Sequence, residues 1–168
     1  MRPIEQVVIW SRTAAHAEAR VAECVRDGID ARATTDLAAA VADADIVSCA
    51  TLSTAPLILG RWLKPGMHID LVGAYRRTMR ESDDDVMRRA DLIVVDSREG
   101  ALSEGGDIAQ ALASGAIAAE SIAADLRELA RSTHPGRTRD DQVTVFKSVG
   151  FALEDLAAAE AVFDAPAA

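Results

Sequence analysis

Four short segments of this 168-residue chain place polar or small residues just after an apolar run. They are Ser11-Arg12-Thr13 after Val7-Val8-Ile9-Trp10, Cys49-Ala50-Thr51 after Ile46-Val47-Ser48, Val72-Gly73-Ala74-Tyr75 closing the run from Met67, and Asp96-Ser97-Arg98 after Leu92-Ile93-Val94-Val95. Short β-branched runs read as buried strands, and open parallel sheets bind ligands beyond the carboxyl ends of their strands. In a dinucleotide fold an acid after the second strand hydrogen-bonds the adenosine ribose. Here Ser11 and Arg12 offer a hydroxyl and a guanidinium, a pair suited to a 2′-phosphate. On spacing alone Arg12 serves equally well to solvate a helix start. Gly73 lets a backbone approach a ligand closely, or else serves a turn. Ser148 either caps a helix or turns its hydroxyl to a cofactor, and capping is the simpler reading.

Other chemistries find less support. Glu81, Asp83, Asp84 and Asp85 could be imagined around a metal, but consecutive acids beside Ser82 are better explained as complementing the positive end of a helix capped by that serine. His16, His68 and His134 are scattered, with no ligand spacing and no Ser-His-Asp or Cys-His arrangement. Cys24 and Cys49 make neither a disulfide framework nor a metal pair. No metal is expected.

The elements that must position these residues follow from the same pattern. The reading places strands at 7–10, 31–33, 46–50, 67–72, 92–95 and 143–146. Helices are read over 14–26, 37–41, 83–90, 107–114, 121–131 and 150–163, with a turn at Gly105-Gly106-Asp107. Alternation of strand and helix at this rhythm implies right-handed crossovers and an α/β fold with a parallel sheet. The net charge of −9, with Lys64 and Lys147 the two lysines, argues against a nucleic-acid or anionic-membrane surface. No run approaches the roughly 20 apolar residues that span a bilayer, and Met1 to Glu5 contain no apolar signal core. A cytoplasmic protein is expected.

Taken together, these segments resemble the ornithine cyclodeaminase/mu-crystallin family. To the strand-end groups are added Ala44-Asp45-Ile46, Trp62-Leu63-Lys64-Pro65-Gly66, Met79-Arg80-Glu81-Ser82-Asp83-Asp84, Gly105-Gly106-Asp107, Phe146-Lys147-Ser148-Val149-Gly150 and Leu153-Glu154-Asp155-Leu156-Ala157. The resemblance implies a homodimeric NAD(P)-dependent enzyme with a Rossmann domain inserted in a substrate-binding domain, acting on a small imino or amino acid. It implies that Ser11, Arg12 and Thr13 hold the adenosine ribose or its phosphate, with NADP(H) favoured over NAD(H). Cys49, Ala50 and Thr51 would line the nucleotide, Val72 and Gly73 would lie near the nicotinamide, and Ser148 would approach it.

At the position of the cyclodeaminases' acid-base aspartate this chain carries Tyr75. A phenol, whose ordinary pKa is about 10, is a poor base at neutral pH but donates a hydrogen bond or proton. That favours the branch that reduces cyclic imino acids such as pyrroline-2-carboxylate, with Tyr75 as the residue at the catalytic position. NAD-dependent conversion of ornithine to proline and ammonia is the alternative, and a non-catalytic mu-crystallin-like binding protein is another.

The second departure is upstream. Relatives carry a first strand, its Gly-rich phosphate loop and carboxylate-gripping bases before the position of Met1. The expectation is therefore an incomplete Rossmann-type sheet over 1–135 and a closing strand-helix segment over 141–168 that returns to the substrate domain. The chain would be a truncated, inactive product, or the result of a misplaced start. Without the first strand, the strands at 7–10 and 46–50 would lose a shared neighbour and present open edges.

Overall fold

The computed structural model describes residues 3–165, and the chain divides into two compact units, residues 1–44 and 45–168. In the first unit, strand β1 (Val7–Trp10) pairs in parallel with β2 (Ala31–Thr34). The crossover is helix α1 (Ala14–Arg26), which packs on both strands. Its inward face runs through buried Ala17 and half-buried Val21 and Cys24, positions that recur at the helical period. Gly28, at φ +80°, turns the chain out of the helix. Helix α2 (Leu37–Asp43) follows, with the Asp36 side chain accepting from the Ala39 N–H as its cap.

The second unit is a five-stranded, all-parallel sheet of order β3-β4-β7-β5-β6. Its strands are β3 (Ile46–Cys49), β4 (His68–Leu71), β5 (Leu92–Val95), β6 (Ile122–Asp125) and β7 (Thr144–Lys147). Every residue of β5 is buried, as expected of an uninterrupted Leu-Ile-Val-Val run covered on both faces. Helices α3 (Asp84–Arg89), α4 (Arg98–Ser103), α5 (Gly106–Ala113), α6 (Leu126–Ala130) and α7 (Ala152–Phe163) complete the unit. Leu92, Val94 and Ala124 form one core cluster, with Leu129 and Phe146 packed against it.

Among the described residues β1 pairs only with β2, and β3 only with β4. The expected incomplete Rossmann-type α/β arrangement is thus present, with an open flank on each of these two strands.

Several boundaries differ from the sequence reading. The helix expected at 121–131 is two elements: Ile122 and Ala124 are buried alternately with their neighbours as strand β6, and helix starts again at Asp125. There the Asp125 side chain accepts from the Glu128 N–H, and the Glu128 carboxylate accepts from the Asp125 N–H. The strand read at 143–146 as part of a segment leaving the Rossmann domain is instead a central strand. β7 lies between β4 and β5, with Lys147 in register with Leu71 on one side and Val95 on the other. Its short apolar run looked like a terminal appendage because a parallel strand's place in the sheet is set by partners distant in sequence. Helix α3 is capped by Asp83, which accepts from the Val86 N–H, and not by Ser82. Gly106 opens α5 where a turn was expected.

Candidate functional site

The segments after β3 and β4 converge on one buried carboxylate. The Glu81 side chain is fully buried and accepts four hydrogen bonds. Its Oε1 takes the Thr51 N–H at 2.6 Å and the Thr51 hydroxyl at 2.7 Å, and its Oε2 takes the Gly73 N–H at 2.9 Å and the Ala74 N–H at 3.2 Å. Four donors and no acceptor are what an ionised carboxylate satisfies. The residue thus ties the loop after β3 to the loop after β4. These loops meet backbone to backbone, and a Cβ on Gly73 would stand 1.9 Å from the Thr51 carbonyl oxygen. The close approach foreseen at Gly73 is therefore made by the neighbouring loop.

A second buried acid holds Glu81 in place. Asp107 Oδ1 accepts the Glu81 N–H at 3.0 Å and both the N–H and the hydroxyl of Ser82 at 2.8 Å. Its Oδ2 has no hydrogen-bond partner among the described residues and faces the Lys147 ammonium at 3.7 Å. Lys147 is fully buried on the sheet row it shares with Leu71 and Val95, and it donates to the Leu71 carbonyl at 3.1 Å. Burial pulls the Lys147 pKa below the usual lysine value, against the opposing pull of Asp107, Glu81 and Asp96. Hydrogen bonds and one ion pair thus close a circuit around the end of β4, from Leu71 through Lys147, Asp107 and Glu81 to Gly73. Cys49 lies buried beside it. Burial, with the Glu81, Asp107 and Asp70 charges, pushes its thiol up to about 12.

A similar clamp stands at the end of β5. Asp96 Oδ2 accepts from the Ser148 hydroxyl at 3.0 Å, the Val149 N–H at 2.7 Å and the Gly150 N–H at 2.9 Å, while Oδ1 accepts from the Ser97 N–H at 2.7 Å. Ser148 is therefore not a helix cap. Its hydroxyl is spent on Asp96, and α7 begins after Phe151 without a side-chain cap.

Among the sequence candidates, Cys49, Thr51, Val72 and Gly73 come together around Glu81, with Val72 exposed and Ala50 at the surface. Ser148 belongs to the neighbouring clamp. Tyr75 is 39 % exposed, its ring under the Arg76 guanidinium at 5.2 Å, and it takes no part in the buried circuit. Ser11, Arg12 and Thr13 belong to the first unit, at the start of α1. There Thr13 occupies the cap position with its side chain unused for capping, and Arg12 is exposed with no partner among the described residues. Two hydroxyls and an unpaired guanidinium at a helix start fit an anionic sugar phosphate. The small residues at 50 and 73, with exposed Val72, fit a flat apolar ring.

The acids weighed for a metal have separate duties. Glu81 serves the loops, Asp83 caps α3 and accepts from the Gly60 N–H at 2.9 Å, Asp84 pairs with Arg80 and Arg88, and Asp85 pairs with Arg88. Sequence reasoning missed the joint role of Glu81, Asp107 and Lys147. The available signal was a lysine directly after the largely apolar run Val143–Phe146 and an aspartate directly before the apolar pair Ile108-Ala109, two opposite charges in segments that must be buried.

The chain is similar to several known proteins. It is 47% identical over 155 residues to a Delta(1)-pyrroline-2-carboxylate reductase of Paracoccus denitrificans, covering 91% of this chain and 48% of that protein. It is 42% identical over 160 residues to the ketimine reductase mu-crystallin of Mus musculus, covering 95% of this chain and 47% of that one. The structure of Thermococcus litoralis Delta(1)-pyrroline-2-carboxylate reductase in complex with NADH and L-proline superposes with a TM-score of 0.89 at 33% identity, covering 93% of this chain and 48% of that chain. The chain therefore spans about half the length of the curated relatives it matches. With the ornithine cyclodeaminase/mu-crystallin family profile matching residues 1–168, and with these identities, the chain belongs to that family.

Proposed function

We propose that this chain supplies the nicotinamide-side half of a cyclic imino acid reductase site, with a substrate of the pyrroline-2-carboxylate class. The observation that carries the reading is the loop pair 49–51 and 72–74, locked by Glu81 into a small-residue platform at the carboxyl edge of the parallel sheet, in a chain 47% identical to such a reductase. A bound nicotinamide cofactor supplies the hydride that reduces the imine carbon, and the imine nitrogen takes a proton. Val72, Gly73 and Ala50 present the surface on which a planar ring rests, and Cys49 and Thr51 line its edge. Ser148, held by Asp96, borders the same sheet end.

Tyr75 stands where cyclodeamination calls for a carboxylate base. A phenol suits proton donation better than proton abstraction at neutral pH, so reduction is favoured over ornithine cyclodeamination. Ser11, Arg12 and Thr13 favour NADP(H) over NAD(H), because Arg12 is an unpaired guanidinium where a ribose-binding acid would select NAD(H). The Thermococcus litoralis relative is described with NADH, so the preference rests on Arg12 and is tested there. No helix among the described residues is long and apolar enough to cross a membrane. A homodimer and a cytoplasmic location remain part of the proposal.

The test is a fluorescence titration of the expressed chain with NADPH and NADH, followed by an assay with Δ1-pyrroline-2-carboxylate. Binding with NADPH preferred, and no turnover by the 168-residue chain alone, is the expected result. Absence of binding to either cofactor overturns the reading. Unaided turnover would show that these residues suffice without a partner segment.

A further inference from the structure

We infer that Glu81 is a positioning residue for the nicotinamide platform, its carboxylate holding the 49–51 and 72–74 loops as one surface; this rests on the cofactor reading proposed above. Each carboxylate oxygen serves a different pair of donors. Oε1 holds both Thr51 donors and Oε2 holds the Gly73 and Ala74 amides. The Thr51 hydroxyl is oriented for this duty, since it also accepts the Ser53 N–H at 3.3 Å. Glu81 is itself fixed through its own N–H on Asp107. That acid faces Lys147, which grips the Leu71 carbonyl at the root of the same loop. The two loops touch at backbone distance, with no room for even a Cβ at Gly73. A small shift of either loop is therefore passed to the other.

None of these buried groups reaches the surface on which a cofactor would rest. Glu81 acts through Thr51, Gly73 and Ala74, and its effect should be confined to the nicotinamide end of the ligand.

Glu81→Gln keeps the size of the side chain and replaces one oxygen by an NH2 group. That group must face two N–H or O–H donors on one loop, so the clamp holds one loop and releases the other. Thr51→Val is the milder partner variant, removing the hydroxyl that donates to Glu81 and accepts the longer bond from the Ser53 N–H while keeping the Thr51 N–H on the clamp. For the intact chain and both variants, affinity is measured for whichever of NADPH and NADH binds tighter, and for the matching ADP-ribose or its 2′-phosphate, which lacks the nicotinamide. Amide hydrogen exchange is followed at Thr51, Gly73 and Ala74 together with the urea midpoint.

The expected result is a loss of about tenfold or more in dinucleotide affinity for Glu81→Gln, the size usual for losing a hydrogen bond to a charged group, and a smaller loss for Thr51→Val. Affinity for the ADP-ribose fragment should stay unchanged, and the three amides should exchange faster. Equal loss for dinucleotide and fragment means that Glu81 has only a general structural role and overturns the proposal. Faster amide exchange with unchanged dinucleotide affinity also overturns it. If Glu81→Gln does not fold, the same comparison on Thr51→Val decides. An intact chain that protects these amides but binds neither dinucleotide overturns the cofactor reading itself, and that failure is distinct from a clamp without consequence.

Discussion

Lys147 shows how a single residue's meaning depends on what surrounds it. An ammonium with no exposed surface, facing Asp107 Oδ2 at 3.7 Å and bonded to the Leu71 carbonyl, compensates an acid that has no other partner for that oxygen among the described residues. Lys147→Met is expected to cost about 3–5 kcal/mol, because a lone buried charge is left behind. Adding Asp107→Asn should recover part of that loss, as a urea-denaturation double-mutant cycle would show. The pH dependence has a definite sign. The folded pKa of Lys147 lies below its unfolded value of 10.5, so between the two the unfolded chain binds the extra proton. Stability contributed by this group rises with pH across that window and is lost as pH falls through the folded pKa. Comparing the alkaline stability slopes of the intact chain and Lys147→Met isolates it.

Gly73→Ala belongs to the same scale. Its Cβ would meet the Thr51 carbonyl oxygen at 1.9 Å and the Thr51 nitrogen at 2.2 Å, backbone atoms that cannot yield. A loss of about 3 kcal/mol or more in unfolding free energy is expected. The two thiols should also differ. Cys49, buried and raised to about 12, is only roughly 10⁻⁴ thiolate at pH 8. Alkylation followed by mass spectrometry should label half-buried Cys24 first and Cys49 only on unfolding.

At the scale of elements, the segment 119–130 is the clearest departure from periodicity. Ala-rich sequence over Ala118 to Ala130 supports helix by propensity, yet the chain makes a 3₁₀ turn, a strand and a new helix. Pairing of β6 with β5 buries Ile122 and Ala124, and tertiary burial outweighs the few tenths of a kcal/mol per residue at stake in propensity. The restart depends on the reciprocal cap between Asp125 and Glu128, reinforced by Arg98 at 2.9 Å from the Glu128 carboxylate. The Asp125 N–H and Arg98 hold the Glu128 carboxyl below the usual glutamate value. Asp125→Ala should cost about 1 kcal/mol, measured by urea denaturation.

At the scale of the molecule, the open flanks matter most. The Asp45 and Cys49 carbonyls accept from the β4 side, so by strand alternation the amides of Ile46 and Ser48 point away from the sheet. These should exchange with deuterium faster than those of Val47 and Cys49. Sedimentation should show association that grows with concentration, as unprotected edges invite.

The sequence by itself determined the alternating strands and helices, the residues at the strand ends and the kinship with a family of imino acid chemistry, because these are encoded in local apolar runs and short motifs. Tertiary structure decided that β7 is central, that Ser148 serves Asp96, and that Glu81 serves two loops. These roles join residues far apart along the chain: Thr51 to Glu81 across 30 positions, Ser148 to Asp96 across 52, Lys147 to Leu71 across 76. A buried charge reveals its purpose only through the partner that compensates it, and in a parallel sheet that partner arrives by crossover from elsewhere in the sequence.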